Sequence, residues 1–252
     1  MNIKEYMKAP CRVFKFNTVD STNSEAKRIL EKQPFLCPIA VVADGQTGGR
    51  GRQGKSFYSP DGTGIYMSVA FAVKNNQDIT FFTAAVSVAV AEAIESYSDK
   101  KTAVKWVNDI YIDGFKVCGI LCESVFINVG DESKRYIIAG VGVNLSTENF
   151  PKDLQKTAAS VGKISCSKNK LIAKIADNIF EVFENPDTDV IFKKYREKSY
   201  VIGKNISYLE NNVWHIGYAK DIDRSGGLIV ETPDGKTVVL SGGEITLRVK
   251  HQ

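Results

Sequence analysis

Histidine is almost missing. The 252 residues hold two, His215 and His251, which leaves little material for a zinc centre even though Cys118 and Cys122 stand four apart in one apolar segment. Cysteine is sparse, odd in number and scattered: Cys11, Cys37, Cys118, Cys122 and Cys166 argue against a disulfide framework and read as reduced, buried small hydrophobes. Long apolar runs are missing too. The N-terminal stretch "MNIKEYMKAPCRVF" has no core of signal-peptide length, and no segment approaches a membrane span. A cytoplasmic protein without a membrane partner is therefore expected. There is no internal repeat and no low-complexity tract, and a formal net charge of +4 is too mild to imply nucleic-acid binding through bulk charge.

What is present is an ordinary globular composition, 43% hydrophobic and 25% charged, over enough chain for one sizeable core and a small extra domain. "RVFKFNTVD" reads as a strand. "STNSEAKRILEKQ" reads as a helix whose start is marked by Thr22 and Glu25 in capping-box spacing. "PIAVVAD" is a short buried strand, and "GIYMSVAFAV" another. Thr80 to Tyr97 reads as a well-buried, alanine-rich helix. "AVKWVNDIYIDGFKVCGILCESVF" predicts a hairpin turning at Asp113-Gly114, and "RYIIAGVGVNLS" a further strand. Helical periodicity returns with Leu171, Ile175, Ile179 and Phe183 on one face, and a shorter helix comes after it near "DVIFKKYREKS". From about residue 200 the texture changes to short strands broken by turns, Asp234-Gly235 among them, which predicts a small β-barrel. The order of elements gives an α+β domain around a mixed or antiparallel sheet, then the barrel.

The stretch "GQTGGRGRQGKS", Gly45 to Ser56, fits two phosphate-loop patterns at once. A P-loop or a Rossmann loop needs a helix immediately after the glycines. Here the chain continues "FYSPDGTG", and Pro60, Gly62 and Gly64 forbid one. A kinase-type loop is flanked by strands, but no His-Arg-Asp occurs later in the chain. A plain glycine-rich turn stays open on spacing alone. The intervening residues point further: Arg50, Arg52 and Lys55 repel one another on a loose backbone, so a cationic lid that orders around a phosphate-bearing ligand is expected. A second cluster places Lys105 in an apolar strand, Asn108 and Asp109 at a bend, and Lys116 on the facing strand. Lys105 reads either as a snorkelling residue or as a fixed charge for a carboxylate or phosphate.

Taken together, the pieces resemble the biotin protein ligases. The resemblance rests on "DSTN" at Asp20–Asn23, "GRGRQG" at Gly49–Gly54 with "SPDGTGIYMS" after it, "KWVNDI" from Lys105, "KVCGIL" from Lys116, "GVGVN" at Gly140–Asn144 and "GGEITLR" at Gly242–Arg248. They occur in the family's order and span nearly the whole chain. The resemblance implies a class II synthetase-like α+β catalytic domain over residues 1–199 and an SH3-like barrel over 200–252. It implies an ATP-dependent ligase that makes biotinyl-AMP, with Mg²⁺ accompanying ATP, and then biotinylates a lysine of a biotin carboxyl carrier domain of a biotin-dependent carboxylase.

By the same resemblance, Ser21, Thr22, Asn23 and Gln46 border biotin. Gly49, Arg50, Gly51, Arg52, Gln53 and Gly54 close over the adenylate, with Arg50 and Arg52 near its phosphate. Lys105 contacts the biotin carboxylate and α-phosphate, Asn108 and Gly119 complete the substrate site, and Asn144 lies near the phosphates and metal, whose ligands stay unassigned. Arg50, Arg52 and Lys105 are the implied catalytic residues, and the shortage of histidine suits a reaction run by positioning and charge. Phe57 stands where many members carry tryptophan, a change that bears on adenine packing. Because "DSTN" starts at residue 20, no winged-helix domain and no DNA binding are expected. A lipoate or octanoate ligase, a non-enzymatic binding module and a P-loop NTPase remain the rival readings. Residues 153–162 read equally as a ligand-contacting segment or a plain connection, and edge strands leave a homodimer open.

Overall fold

The computed structural model describes residues 2–34, 38–73, 78–210, 212–243 and 245–247; Cys37, Glu244 and Arg248 lie outside them. Seven strands form one mixed sheet. In chain order they are β1 (Arg12–Val19), β2 (Ile39–Gln46), β3 (Gly64–Ala72), β4 (Ala103–Lys105), β5 (Asp109–Ile112), β6 (Phe115–Val129) and β7 (Glu132–Asn144), arranged β1-β2-β3-β7-β6-β5-β4. Only β1 and β2 run parallel, because α1 (Thr22–Lys32) crosses over between them. The tight β5–β6 connection has Asp113 at φ 52° and Gly114 at φ 84°, the left-handed pair that a two-residue hairpin requires.

The sheet is covered on both faces, which is why β2 and β3 read as continuous apolar runs. On one face Ala26 and Leu30 of α1 pack with Val41, Ala70 and Ile138. On the other lies the main core under α2 (Ile79–Glu95), backed by α3 (Lys168–Glu184) and α4 (Thr188–Glu197). Helix α2 lies between the sheet and the outer helices, so it is apolar nearly all round. Helix α3 is amphipathic: Leu171, Ile175 and Ile179 are buried, and Phe183 stacks on Phe82 with ring centroids 5.2 Å apart.

The start of α1 departs from the sequence expectation. Ser21 holds the N-cap position and Thr22 is already helical, so there is no capping box. The Glu25 amide donates to the Ser21 carbonyl at 2.9 Å, and the Glu25 carboxylate pairs with Arg28. The physical reason is competition. The Thr22 hydroxyl has partners on the sheet, Gln46 and Ser68, and is lost to the helix end.

The C-terminal segment forms a second, wholly antiparallel sheet from β8 (Asn205–Glu210), β9 (Val213–Ile222), β10 (Leu228–Glu231), β11 (Thr237–Leu240) and β12 (Ile245–Leu247), in the order β11-β10-β9-β8-β12. Strand β12 is an addition to the strands that the sequence pattern suggests. Side chains of the first part of the chain tie this segment to it. Trp106 Nε1 donates to the Gly226 carbonyl at 2.9 Å, and Arg196 Nε to the Ile222 carbonyl at 2.7 Å. Among the described residues no helix is long and apolar enough to cross a membrane. Trp106→Phe, which removes a buried N–H from the Gly226 carbonyl, should lower unfolding free energy by about 1–3 kcal/mol in a urea titration; an unchanged midpoint would remove that bond from the tie between the sheets.

Candidate functional site

The parallel register of β1 and β2 brings two chain reversals side by side: the β1–α1 corner at Asp20–Ser21 and the glycine loop after Gln46. Thr47 N donates to the Val19 carbonyl at 2.9 Å and Gly48 N to the Asp20 carbonyl at 2.8 Å. A cavity of about 300 Å³ opens beneath them, floored by the middle of β6 and β7. Asp20 itself faces away. It accepts from the Ser21 amide and pairs with Arg28, whose guanidinium holds its carboxyl below the usual range.

One wall is a polar chain with a fixed direction. Thr22 donates to Gln46 Oε1 from its amide at 2.9 Å and from its hydroxyl at 3.2 Å, and Gln46 Nε2 donates onward to Ser59 Oγ at 2.9 Å. Asn23 Nδ2 donates to the Leu121 carbonyl at 3.1 Å and to Glu123 Oε2 at 2.7 Å, so its Oδ1 is left to accept from Ser68 Oγ at 2.6 Å. Ser21, Thr22 and Asn23 are all buried. Because each amide is oriented by several partners, the wall presents one pattern of donors and acceptors.

The floor is backbone at three glycines, with Leu121 beside them. Gly119 pairs with Gly142 across β6 and β7, and Leu121 with Gly140. A Cβ on Gly142 would come within 2.5 Å of the Phe57 ring, and one on Gly140 within 2.2 Å of Asn23 Oδ1. The Phe57 ring comes this close to the sheet because glycine puts no side chain in its way.

The glycine loop is a small hairpin closed by an antiparallel bridge between Arg50 and Ser56, with Phe57 N donating to the Gly49 carbonyl at 2.9 Å. At its tip Gln53 and Gly54 take positive φ of 54° and 73°. It brings Arg50, Arg52 and Lys55 to the cavity. Arg50 pairs with Glu123 at 2.7 Å. Burial pulls the Arg52 pKa below the ordinary arginine value and the charge of Asp109 pushes back; the group stays a cation.

From the opposite side Lys105, Asn108, Asp109 and Lys116 face the same space. Lys116 Nζ stands 2.6 Å from Asp109 Oδ1 and 6.0 Å from the Phe57 ring centroid. The contact with Asp109 is one of charge, since no hydrogen bond of good angle reaches that buried oxygen. Asp109 is also the cross-strand partner of Lys105, whose Nζ stands 5.6 Å from the Tyr111 ring centroid. Asn108 Nδ2 donates to the Ile120 carbonyl at 2.7 Å. The buried Tyr195 hydroxyl, its pKa raised by desolvation, donates to the Val107 carbonyl at 2.7 Å and pins the turn from α4. Gly243 and Ile245 of the C-terminal segment close the far side.

Of the residues singled out from sequence, Ser21, Thr22, Asn23, Gln46, Arg50, Gly51, Arg52, Gln53, Phe57, Lys105, Asn108 and Gly119 meet in this cavity. Three do not line it. Gly49 packs behind the loop, where a Cβ would strike the Phe57 carbonyl at 2.5 Å. Gly54 borders a second cavity on the outer side of the loop. Asn144 is buried at the end of β7, with Nδ2 donating to the Ala159 carbonyl at 3.3 Å. Residues 153–162 run beside β6 through the bridge between Lys116 and Ala158, and Leu154 reaches the cavity wall. Lys116, Asp109 and Glu123 stand outside the set of site residues that the sequence resemblance implies. Strand alternation is the signal that points to Glu123, because positions 119, 121 and 123 share one face of β6.

Comparison with known proteins gives a consistent picture. Residues 15–144, half of the chain, match the Biotin/lipoate A/B protein ligase family, and residues 202–248 match the Biotin protein ligase C terminal domain. The chain is 33% identical over 208 residues to a protein of Bacillus spizizenii named bifunctional ligase/repressor BirA, covering 77% of this chain and 62% of that one. It thus spans under two thirds of that relative's length. It is 26% identical over 237 residues to a biotin--[acetyl-CoA-carboxylase] ligase of Mycobacterium tuberculosis, covering 89% and 85%. A solved biotin protein ligase from Aquifex aeolicus, in complex with biotin and ATP, superimposes with a TM-score of 0.75 at 25% identity, covering 94% and 98%. The architecture is the mixed α+β fold of these ligases, with a C-terminal antiparallel sheet of the SH3-like kind.

Two glycine substitutions test the floor. Gly140→Ala should push Asn23 from its three partners and cost about 1–3 kcal/mol of stability, whereas the atoms nearest a Cβ on Gly142 are those of the partly exposed Phe57 ring, which has room to shift, so Gly142→Ala should cost less. Guanidinium denaturation of both variants checks the ranking; equal losses would mean that Asn23 is not held as described.

Proposed function

The chain belongs to the biotin/lipoate A/B protein ligase family, and on that premise we propose that it is an ATP-dependent biotin protein ligase whose acceptor is a lysine of a biotin carboxyl carrier domain. The observation that carries the reading is the cavity itself: a basic glycine hairpin on one side, paired lysines on the other, and a directional polar wall over a glycine floor. The match of residues 202–248 favours biotin over lipoate or octanoate within the family.

A carboxylate acylates poorly because its leaving oxygen is too basic, and joining it to AMP supplies a stable leaving group. In the first step a biotin carboxylate oxygen attacks the α-phosphorus of ATP. The new O–P bond forms as the bond to the β-phosphate oxygen breaks, and pyrophosphate leaves with the electron pair. The Thr22–Gln46 and Asn23 groups orient the acid, while Phe57 and the bare floor seat flat rings. Arg52, Lys55, Lys105 and Lys116 face the charge that develops on the phosphate oxygens. In the second step a neutral acceptor amine attacks the acyl carbon, the C–O bond to phosphate breaks and AMP departs. Among the described residues Asp109 is the carboxylate on the cavity wall, placed to take the amine proton. The loop keeps water from the mixed anhydride.

Magnesium normally travels with ATP. No cluster of three His, Cys, Asp or Glu is present among the described residues, which fits an ion carried on phosphate oxygens and water with one or two protein ligands. Asp109 on the cavity wall is the protein oxygen donor that we assign to it for the first step, where the ion would add to the neutralisation of phosphate charge. Burial pushes the Cys122 thiol up to about 12 and Cys118 higher still, which disfavours the thiolate at both.

Native mass spectrometry after incubation with Mg-ATP and biotin should show retained biotinyl-AMP with pyrophosphate released; adenylate from octanoate or lipoate alone would move the chain to the sister branch. Lys105→Ala and Lys116→Ala should each slow single-turnover adenylation by about 10²-fold or more with little change in biotin affinity. An unchanged rate removes that lysine from the mechanism.

A further inference from the structure

Glu123 has no part in the chemistry above, yet one of its oxygens joins the two halves of the site. Its Oε2 accepts from Asn23 Nδ2 at 2.7 Å and from Arg50 Nη2 at 2.7 Å. The first contact orients the Asn23 amide: with Nδ2 committed to two acceptors, Glu123 and the Leu121 carbonyl, Oδ1 is left to take the Ser68 proton. The second holds down the glycine hairpin, whose cations otherwise repel one another. Glu123 also borders the outer cavity, of about 480 Å³, with Gly54 and Lys55 of the loop and Thr80 and Thr83 of α2.

We propose that Glu123 is a positioning residue that serves as an internal stand-in for phosphate: it holds Arg50, and with it the basic loop, and yields the guanidinium when a polyphosphate enters. The inference rests on the reading of the loop as a phosphate-binding element. Its geometry suits an exchange. The pair is partly open, with side-chain exposures of 46% for Arg50 and 31% for Glu123, so water and a rival anion can reach it. Such a pair is worth up to about fivefold in an equilibrium constant and is screened by salt. A polyanion can displace it. Asn23 keeps the Leu121 carbonyl when Arg50 departs, so the acid pocket holds its polarity while the loop changes partner.

The consequence runs against ordinary intuition for a residue in a binding site: removing the carboxylate strengthens nucleotide binding. Glu123→Gln keeps the shape and an acceptor oxygen for Asn23 but releases Arg50. With α,β-methylene-ATP as the probe and no acid present, calorimetry should find the variant binding about two- to fivefold tighter than the unaltered protein at low salt, the gap closing as salt is raised. Ligand-free Glu123→Gln should also be cut faster by trypsin after Arg52 and Lys55, mapped by mass spectrometry. Arg50→Gln, which breaks the same pair from its other end, should speed those cuts by a similar factor.

Equal or weaker nucleotide binding by Glu123→Gln, or unchanged cleavage in both variants, overturns the proposal. If the unaltered protein itself fails to bind the nucleotide, the phosphate-loop reading falls, and the two cleavage rates still decide whether Glu123 holds the loop.

Discussion

The antiparallel ladder between β6 and β7 is the constraint on which the site depends. It sets Gly119 opposite Gly142 and Gly140 opposite Leu121 at the centre of a sheet that is otherwise filled with branched and aromatic side chains. A ladder of backbone bonds keeps its strength without side chains, so the strands can leave one face bare without losing their pairing. The neighbours can then lean in: Phe57 over one glycine pair, Asn23 against Gly140. The same register carries Glu123 to one end of this patch, and at the other Lys116, paired with Tyr111 past a register shift, comes beside Gly119. Spacing along β6 therefore fixes how far the cation of one subsite stands from the carboxylate of the other.

Charge is distributed around this floor in a consistent way. Cations sit on the loop and on the Lys105–Lys116 hairpin, and fewer carboxylates stand near them. Asp109 pairs with Lys116, and Glu123 serves both Arg50 and Asn23. The balance leaves a surplus of positive charge facing the cavity, which suits an anionic ligand. Among the described residues no histidine lines the cavity.

Much of the architecture is legible in the residues. Strand and helix periods place β1 to β3, α2, α3 and the Asp113-Gly114 hairpin. The glycine-arginine loop separates itself from the helix-linked phosphate loops, since Pro60 and the glycines beyond it forbid a helix. Partnership across the sheet is another matter. Thr22 looks like a helix cap because a hydroxyl three residues before a glutamate commonly is one; only the pairing of β1, β2 and β3 shows that Gln46 and Ser68 compete for it. Asn144 and Gly49 belong to motifs without touching the cavity wall, because a motif records what a chain must keep and not which atom faces the ligand. Glu123 escapes notice for the opposite reason. Its partners Asn23 and Arg50 lie far away along the chain, and the alternation that puts it on the face of Gly119 is the one local sign.

The far wall of the cavity has a consequence for how the molecule is made. Gly243 and Ile245 border the cavity, and Trp106 reaches the Gly226 carbonyl, so the mixed sheet alone does not complete the site. Domains usually fold in the order in which they leave the ribosome. The first sheet can therefore assemble early, with its loop, floor and lysines in place, while the cleft still stands open on one side. Only once synthesis has passed Ile245 does the cleft have its last wall, so a growing chain has an unfinished cleft for most of its synthesis.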